Sequence, residues 1–248
     1  VYSTMARSKR CERLKIAFIH PSSPLEERTG ATYSANKIVE ELSERGHDVT
    51  VYCVNKIEDS KELSYETKNL IKGDKSYRSR TSRLNQEILD KKEEFSEFDI
   101  LYSYRLDNIL SLGKIREEIS TKIIVTLNSY GGICPTHTLM YRDEHEEIGS
   151  NKCLKCIAEQ TRGEIKDKGI SRLINLPKVI ARRLIRLRRI KKSSNVVENI
   201  DRFHSVSKHV KNSYVDAGFP EEKIKVTPSI IDEKFLVEHN SGFEEPYN

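Results

Sequence analysis

Residues 14–54, LKIAFIHPSSPLEERTGATYSANKIVEELSERGHDVTVYCV, constrain the fold more than any other stretch. Leu14 to Ile19 is a short run of branched and apolar residues, the pattern of a strand buried on both faces. A loop with Pro21, Ser22, Ser23 and Pro24 follows, then charges, then Thr29-Gly30. Ala31, Ala35, Ile38, Val39 and Leu42 recur at helical spacing and make one apolar stripe. Gly46 is placed to end that helix in the left-handed conformation. Asp48 to Val54 is a second apolar strand. Strand, loop, helix and strand make one βαβ unit, whose strands run parallel through a right-handed crossover. Ligands of such sheets bind beyond the carboxyl ends of the strands. His20, the Pro/Ser loop and Thr29-Gly30 are therefore candidate site residues.

The first turn is not a dinucleotide fingerprint, because no G-x-G-x-x-G joins the first strand to its helix. One glycine remains at a helix N-terminus, where outward N–H groups favour anions. The competing reading is that Gly30 only relieves a tight turn.

At 248 residues, one large domain or two modest ones fit. No apolar run approaches the roughly 20 residues of a membrane span. The opening VYSTMARSKRCER is basic, lacks a signal-type apolar segment, and reads as a disordered lead-in over 1–13. This predicts a cytoplasmic protein. Five cysteines suit reduced thiols or a metal site better than a disulfide framework. Charge is unevenly spread. Residues 151–200 carry 14 Lys/Arg against 4 Asp/Glu, a surplus of 10 in a chain of net +5, so the remainder is net −5. The basic character belongs to one segment.

Further along, a loop, a weak strand near Ser76–Arg80 and a helix over Ser82–Phe95 are predicted. Asp99–Tyr104 and Lys122–Leu127 read as buried strands, with a helix over Leu106–Ile119 between them. Asn128-Ser129-Tyr130-Gly131-Gly132 follows at a strand's carboxyl end. Residues 133–163 break the alternation and hold Cys134, His137, His145, Cys153 and Cys156. A helical stretch over Ser171–Lys192 comes next, then a strand over Asp201–Val206. Ser207 is a good N-cap for a helix ending at Gly218, and Lys223–Thr227 turns into the last apolar segment. The class is α/β, a doubly wound and mostly parallel Rossmann-like sheet.

The order of these blocks resembles glycosyltransferase family 4. KIAFIHPSSP…GATYSANKIVEELSERGHDVTVY resembles that family's opening, IIVTLNSYGGICP its middle, and FHSVSKHVKNSYVDAGFPEEKIKVTPSIID the block that leads to its second domain. Together they cover most of residues 14–232. The resemblance implies one half of a GT-B fold, the acceptor-side domain, with 233–248 a linker toward a missing C-terminal Rossmann-like domain. It implies transfer of a sugar, with retention at the anomeric carbon, from a nucleotide-sugar donor to a glycan or lipid-linked glycan. It implies Asn128 at the position of the family's histidine, near the transferred sugar. His20, Thr29, Gly30, Ala31 and Tyr130 would face donor or acceptor. The chain departs from the pattern at Gly30-Ala31, where two glycines are usual, at Asn128, and at Ser229-Ile230-Ile231-Asp232. With no second domain, the chain alone would have little activity. A non-catalytic binding or scaffold module on the same fold is the alternative.

Cys153-x-x-Cys156 lets two thiolates share one ion, with Cys134 and His137 or His145 to complete a tetrahedral zinc set. The resemblance favours Cys134, His145, Cys153 and Cys156. Ordinary buried thiols are the other reading. Leu173, Leu176, Val179, Ile180, Leu184, Leu187 and Ile190 share a stripe, with Lys178, Arg182, Arg186, Arg188, Arg189 and Lys192 opposite. Residues 173–192 are thus either a helix on an anionic membrane, peripheral at its inner face, or a domain helix with a solvated basic face. Pro177 and Arg183 interrupt the pattern. No aromatic interleaving or nucleic-acid motif accompanies the charge, which argues against nucleic acid.

Overall fold

The structure is a computed structural model and describes residues 12–20, 22, 29–53, 63–70, 77–137, 139, 151–168 and 176–228. The 1–11 lead-in, Pro21, Ser23, Pro24, Leu173, His145 and the segment from 229 onward lie outside the described residues.

The opening unit folds as its periodicity requires. β1 (Lys15–Ile19), α1 (Gly30–Glu44) and β2 (Asp48–Cys53) are consecutive, and β1 pairs β2 in parallel with Ile19 opposite Tyr52. β1 is buried on both faces. Ile16 and Phe18 join Ala35 and Val39 of α1 on one side, while Ala17 and Ile19 join the larger core on the other. Full burial of a side chain such as Phe18 contributes about 2–3 kcal/mol. Thr29 caps α1, its hydroxyl accepting from the Thr32 N–H at 3.2 Å. Gly46 ends that helix at φ 87°.

β3 (Glu66–Asn69) pairs the outer edge of β2. On the other side of β1 come β4 (Ile100–Ser103), β5 (Lys122–Leu127), β6 (Arg202–Ser205) and β7 (Ile224–Val226). The order is β3-β2-β1-β4-β5-β6-β7 and every pairing is parallel. This is an α/β, Rossmann-like sheet. The chain runs outward from β1 to β3 and then from β4 to β7, so the winding reverses between β1 and β4. α2 (Tyr77–Asp90) and α4 (Ile109–Ile115) supply Leu84, Ile88, Ile109 and Leu112 to the larger core. α3 (Lys92–Ser96) adds Phe95 to it. α7 (Lys208–Asp216) is capped by Ser207, which accepts from the Val210 N–H at 3.1 Å, and Gly218 closes it at φ 87°.

Three expectations change. Of the strand predicted near Ser76–Arg80, Tyr77 to Arg80 open α2, and among the described residues the strand of this region is Glu66–Asn69. The helix predicted over Ser82–Phe95 breaks at Lys91 into α2 and α3. The helix predicted over Leu106–Ile119 opens as a 3-10 turn at Leu106–Asn108 and stops at Ile115.

α5 (Asn151–Lys168) and α6 (Leu176–Ser194) form a pair beside the sheet. Leu184 and Leu187 of α6 pack on Cys153 and Ile157 of α5, and Ile190 is buried. Part of the stripe that suggested a lipid-facing helix, Leu184 and Leu187, is thus spent on α5. Arg183 fits within it because its guanidinium donates to Thr161 Oγ1 of α5 at 2.5 Å. Pro177 lies in the first turn of α6, where its missing N–H costs nothing. Lys178, Arg182, Arg188 and Lys192 are exposed, but Arg186 and Arg189 turn inward. No helix among the described residues is long and apolar enough to cross a membrane.

Candidate functional site

The carboxyl ends of β1, β4 and β5 are adjacent, and the residues that follow them share one edge of the sheet. Between β1 and β4, where the winding reverses, a crevice is the expected ligand position.

His20 ends β1, its N–H donating to Tyr52 O at 2.9 Å. Its ring is wholly buried. Nδ1 accepts from the Ser22 N–H at 3.3 Å, so Nε2 carries the proton and donates to Asn36 Oδ1 of α1 at 2.8 Å. Burial lowers its pKa from 6.5 to about 4, against the Asn36 hydrogen bond and helped by nearby Arg105. His20 is therefore a neutral brace between β1 and α1, without the solvent exposure expected of a residue that meets an acceptor.

Thr29 and Gly30 are exposed at the N-terminus of the fifteen-residue α1, and Ala31 is half-buried against the smaller core. A Cβ built on Gly30 meets no atom within 4 Å, and its backbone is not left-handed. Among the described residues, neither packing nor backbone conformation requires glycine there.

The turn after β5 is built differently. Asn128 is half-buried and makes no hydrogen bond to the described residues. Ser129 caps the 3-10 turn Tyr130–Gly132. The Tyr214 hydroxyl of α7 donates to Ser129 O at 2.8 Å and accepts from the Gly132 N–H at 3.1 Å. Tyr214 is fully buried, and burial pushes its pKa up. Tyr130 is half-buried, its ring edge-on to His209 at 6.1 Å. Asn128 and His20 follow strands two positions apart in the sheet, roughly 10 Å.

The structure thus brings His20, Thr29, Gly30, Ala31, Asn128 and Tyr130 to one edge, with His20 beneath the surface. Three further residues were not anticipated. Tyr104 follows β4 in the crevice, its N–H on Ile19 O at 3.0 Å and its hydroxyl on Ser34 of α1. Arg105 comes next, 3.8 Å from Asp107. Tyr214 clamps the β5 turn from 85 residues away. The winding reversal would have pointed to Tyr104 and Arg105, but nothing in the sequence pairs Tyr214 with Ser129.

The zinc expectation finds no support among the described residues. Cys134, Cys153 and Cys156 are all buried and lie near one another. Yet no three His, Cys, Asp or Glu residues among those described are arranged to hold a metal. The Cys134 sulfur contacts the Thr136 hydroxyl at 3.2 Å instead. Burial raises the Cys156 pKa. His137 packs against Gly131, where an added Cβ would lie 2.7 Å from its ring. The cysteines read as buried core groups. His145 lies outside the described residues.

Solved structures share the fold over most of the chain. Os79 from O. sativa in complex with UDP aligns at a TM-score of 0.52 and 9% identity, over 87% of this chain and 51% of its own. HepE from Anabaena in complex with UDP and glucose aligns at 0.48 and 10% identity, over 90% and 46%. The lipopolysaccharide outer core galactosyltransferase WaaB, in its apo form, aligns at 0.44 and 11% identity, over 86% and 45%. At these identities the likeness shows the fold alone, and the Os79 match carries it. The chain spans about half the length of the solved proteins it matches. No protein-family profile and no curated protein sequence matches it.

Proposed function

We propose that this chain is the acceptor-side half of a nucleotide-sugar-dependent glycosyltransferase of the GT-B type, with residues 14–232 as the domain and 233–248 leading toward a second Rossmann-like domain. The observation that carries the reading is Gly30. It stands at the N-terminus of a long helix, on the edge where such sheets bind ligands, and among the described residues no atom from outside its own helix lies within 4 Å of its missing Cβ. A glycine that its own domain does not need is explained by close approach of a ligand to the backbone. A helix N-terminus suits a diphosphate. The family-like blocks and the fold shared with UDP-bound Os79 support the same reading.

In this reading, a hydroxyl of a glycan or lipid-linked acceptor attacks the anomeric carbon and the bond to the nucleotide breaks. The hydroxyl proton leaves and the nucleoside diphosphate is released. Thr29, Gly30 and Ala31 line the donor phosphates. Asn128 and Tyr130 border the transferred sugar. Asn128 can hydrogen-bond the sugar but cannot take up a proton, so it orients rather than acts as a base. His20 holds β1 and α1 in register from below. The basic face of α6 that remains exposed would hold the protein to an anionic surface by charge alone.

UDP release is measured for the full-length protein over a panel of UDP-sugars, beside the 248-residue chain. Turnover by the former and none by the latter supports the proposal. Full-length protein that binds no nucleotide-sugar would favour the scaffold alternative, for which the absence of a histidine at Asn128 is the specific argument. Asn128→His in the full-length protein then reads the role of that position.

A further inference from the structure

A separate concavity opens at the carboxyl edge, between α6 and the segments that follow β4 and β5. Its volume is about 310 Å³, at the lower end of small-ligand sites. Arg182, Arg183, Arg186 and Arg189 of α6 line it, with His137 opposite and Asp107 at its base. Val179 and Ile185 add apolar wall. Arg183 is engaged with Thr161 of α5, so among the described lining residues three guanidinium groups, those of Arg182, Arg186 and Arg189, remain beside a single carboxylate.

That carboxylate makes no hydrogen bond with Arg186 or Arg189. Arg186 and Arg189 approach Asp107 to 3.7 and 4.0 Å, and Arg105 to 3.8 Å from the other side. These separations exceed the 2.7–3.2 Å of a hydrogen bond. Arg186 and Arg189 are each only 22% exposed, and neither hydrogen-bonds any described residue. Half-buried guanidinium groups gathered this closely repel one another and lose hydration, a cost that an anion with several acceptor oxygens relieves. A planar fork of donors matches phosphate oxygens two at a time.

We propose that this concavity binds the phosphate or pyrophosphate group of an organic phosphoester, with the apolar wall against its organic part. The site is distinct from the donor-phosphate position at Thr29–Gly30, and the inference does not rest on the glycosyltransferase reading.

Titration calorimetry of the 248-residue chain with inorganic pyrophosphate tests it. One-to-one binding is expected, weakened about tenfold or more in R186Q/R189Q and about threefold in R182Q. Arg182 is exposed, so R182Q carries the test if the double variant does not fold. R188Q, on the exposed face of α6, should bind as the parent does. A hexose 1-phosphate and phosphatidylglycerol vesicles are then used as competitors. Displacement by the first identifies a soluble phosphoester, and by the second a lipid headgroup. Absence of pyrophosphate binding, or equal weakening by R188Q, overturns the proposal. Loss of binding in G30A would place the anion at α1, which removes this proposal and leaves the donor reading standing.

Discussion

Two glycine-bearing turns stand on the same edge of the sheet and are built in opposite ways. At Gly132 an added Cβ would lie 2.7 Å from the Tyr214 hydroxyl, and that hydroxyl bonds both ends of the turn. At Gly30 an added Cβ would meet none of the described residues beyond its own helix and chain neighbours. One glycine is explained from inside the domain. The other is not explained by the described residues around it and, in our account, is explained by what comes to it. On the proposed reading, the contrast separates residues that hold the fold from residues kept for a ligand, although all of them belong to the same motif-like blocks.

The closed turn should break first. Gly132→Ala forces Tyr214 aside and disturbs two buried hydrogen bonds, for an expected loss of about 3 kcal/mol in a denaturant unfolding measurement. Gly131→Ala should cost less, about 1 kcal/mol, because the atoms it meets belong to the His137 ring, which can turn away. Equal losses would mean that the Tyr214 clamp is not what closes the turn.

The foot of the open turn has a pH signature. His20 has its pKa lowered from 6.5 to about 4, chiefly by burial. Between those values the unfolded chain binds a proton that the folded chain refuses. Stability from His20 is therefore complete above pH 6.5 and falls as pH drops toward 4, by on the order of 3 kcal/mol. His20→Gln should flatten that part of the stability–pH curve. An unchanged slope would mean that His20 is not the buried brace described here.

Smaller again is the cap of the open turn. Thr29→Ala removes the hydroxyl that accepts from Thr32 N–H, at a cost of about 1 kcal/mol. Thr29→Ser should restore the stability.

The fold was legible where chemistry is local. The β1–α1–β2 unit, the Ser207 cap and the stops at Gly46 and Gly218 all follow from residue type and spacing. β3 was not legible, because Glu66–Asn69 is a polar edge strand that pairs β2 on one side only and buries no alternating face. Arg186 and Arg189 looked like part of a solvated face. Their inward turn depends on Asp107, 79 residues before Arg186, which no helical period encodes. The candidate site was legible as a set of strand ends. Which members are buried, like His20, and which open, like Gly30, was decided by packing between distant segments.

Gly30→Ala tests the central claim most directly, because stability and function should part company. In the 248-residue chain the thermal midpoint should hold or rise slightly, since alanine fits the helix start and restricts the unfolded chain, a gain of about 0.5 kcal/mol. In the full-length protein the same change should lower kcat/KM for the nucleotide-sugar by about tenfold or more, as a methyl group enters the space reserved for the donor phosphates. An unchanged kcat/KM with an unchanged midpoint would mean that the open turn holds no ligand, and would contradict the account.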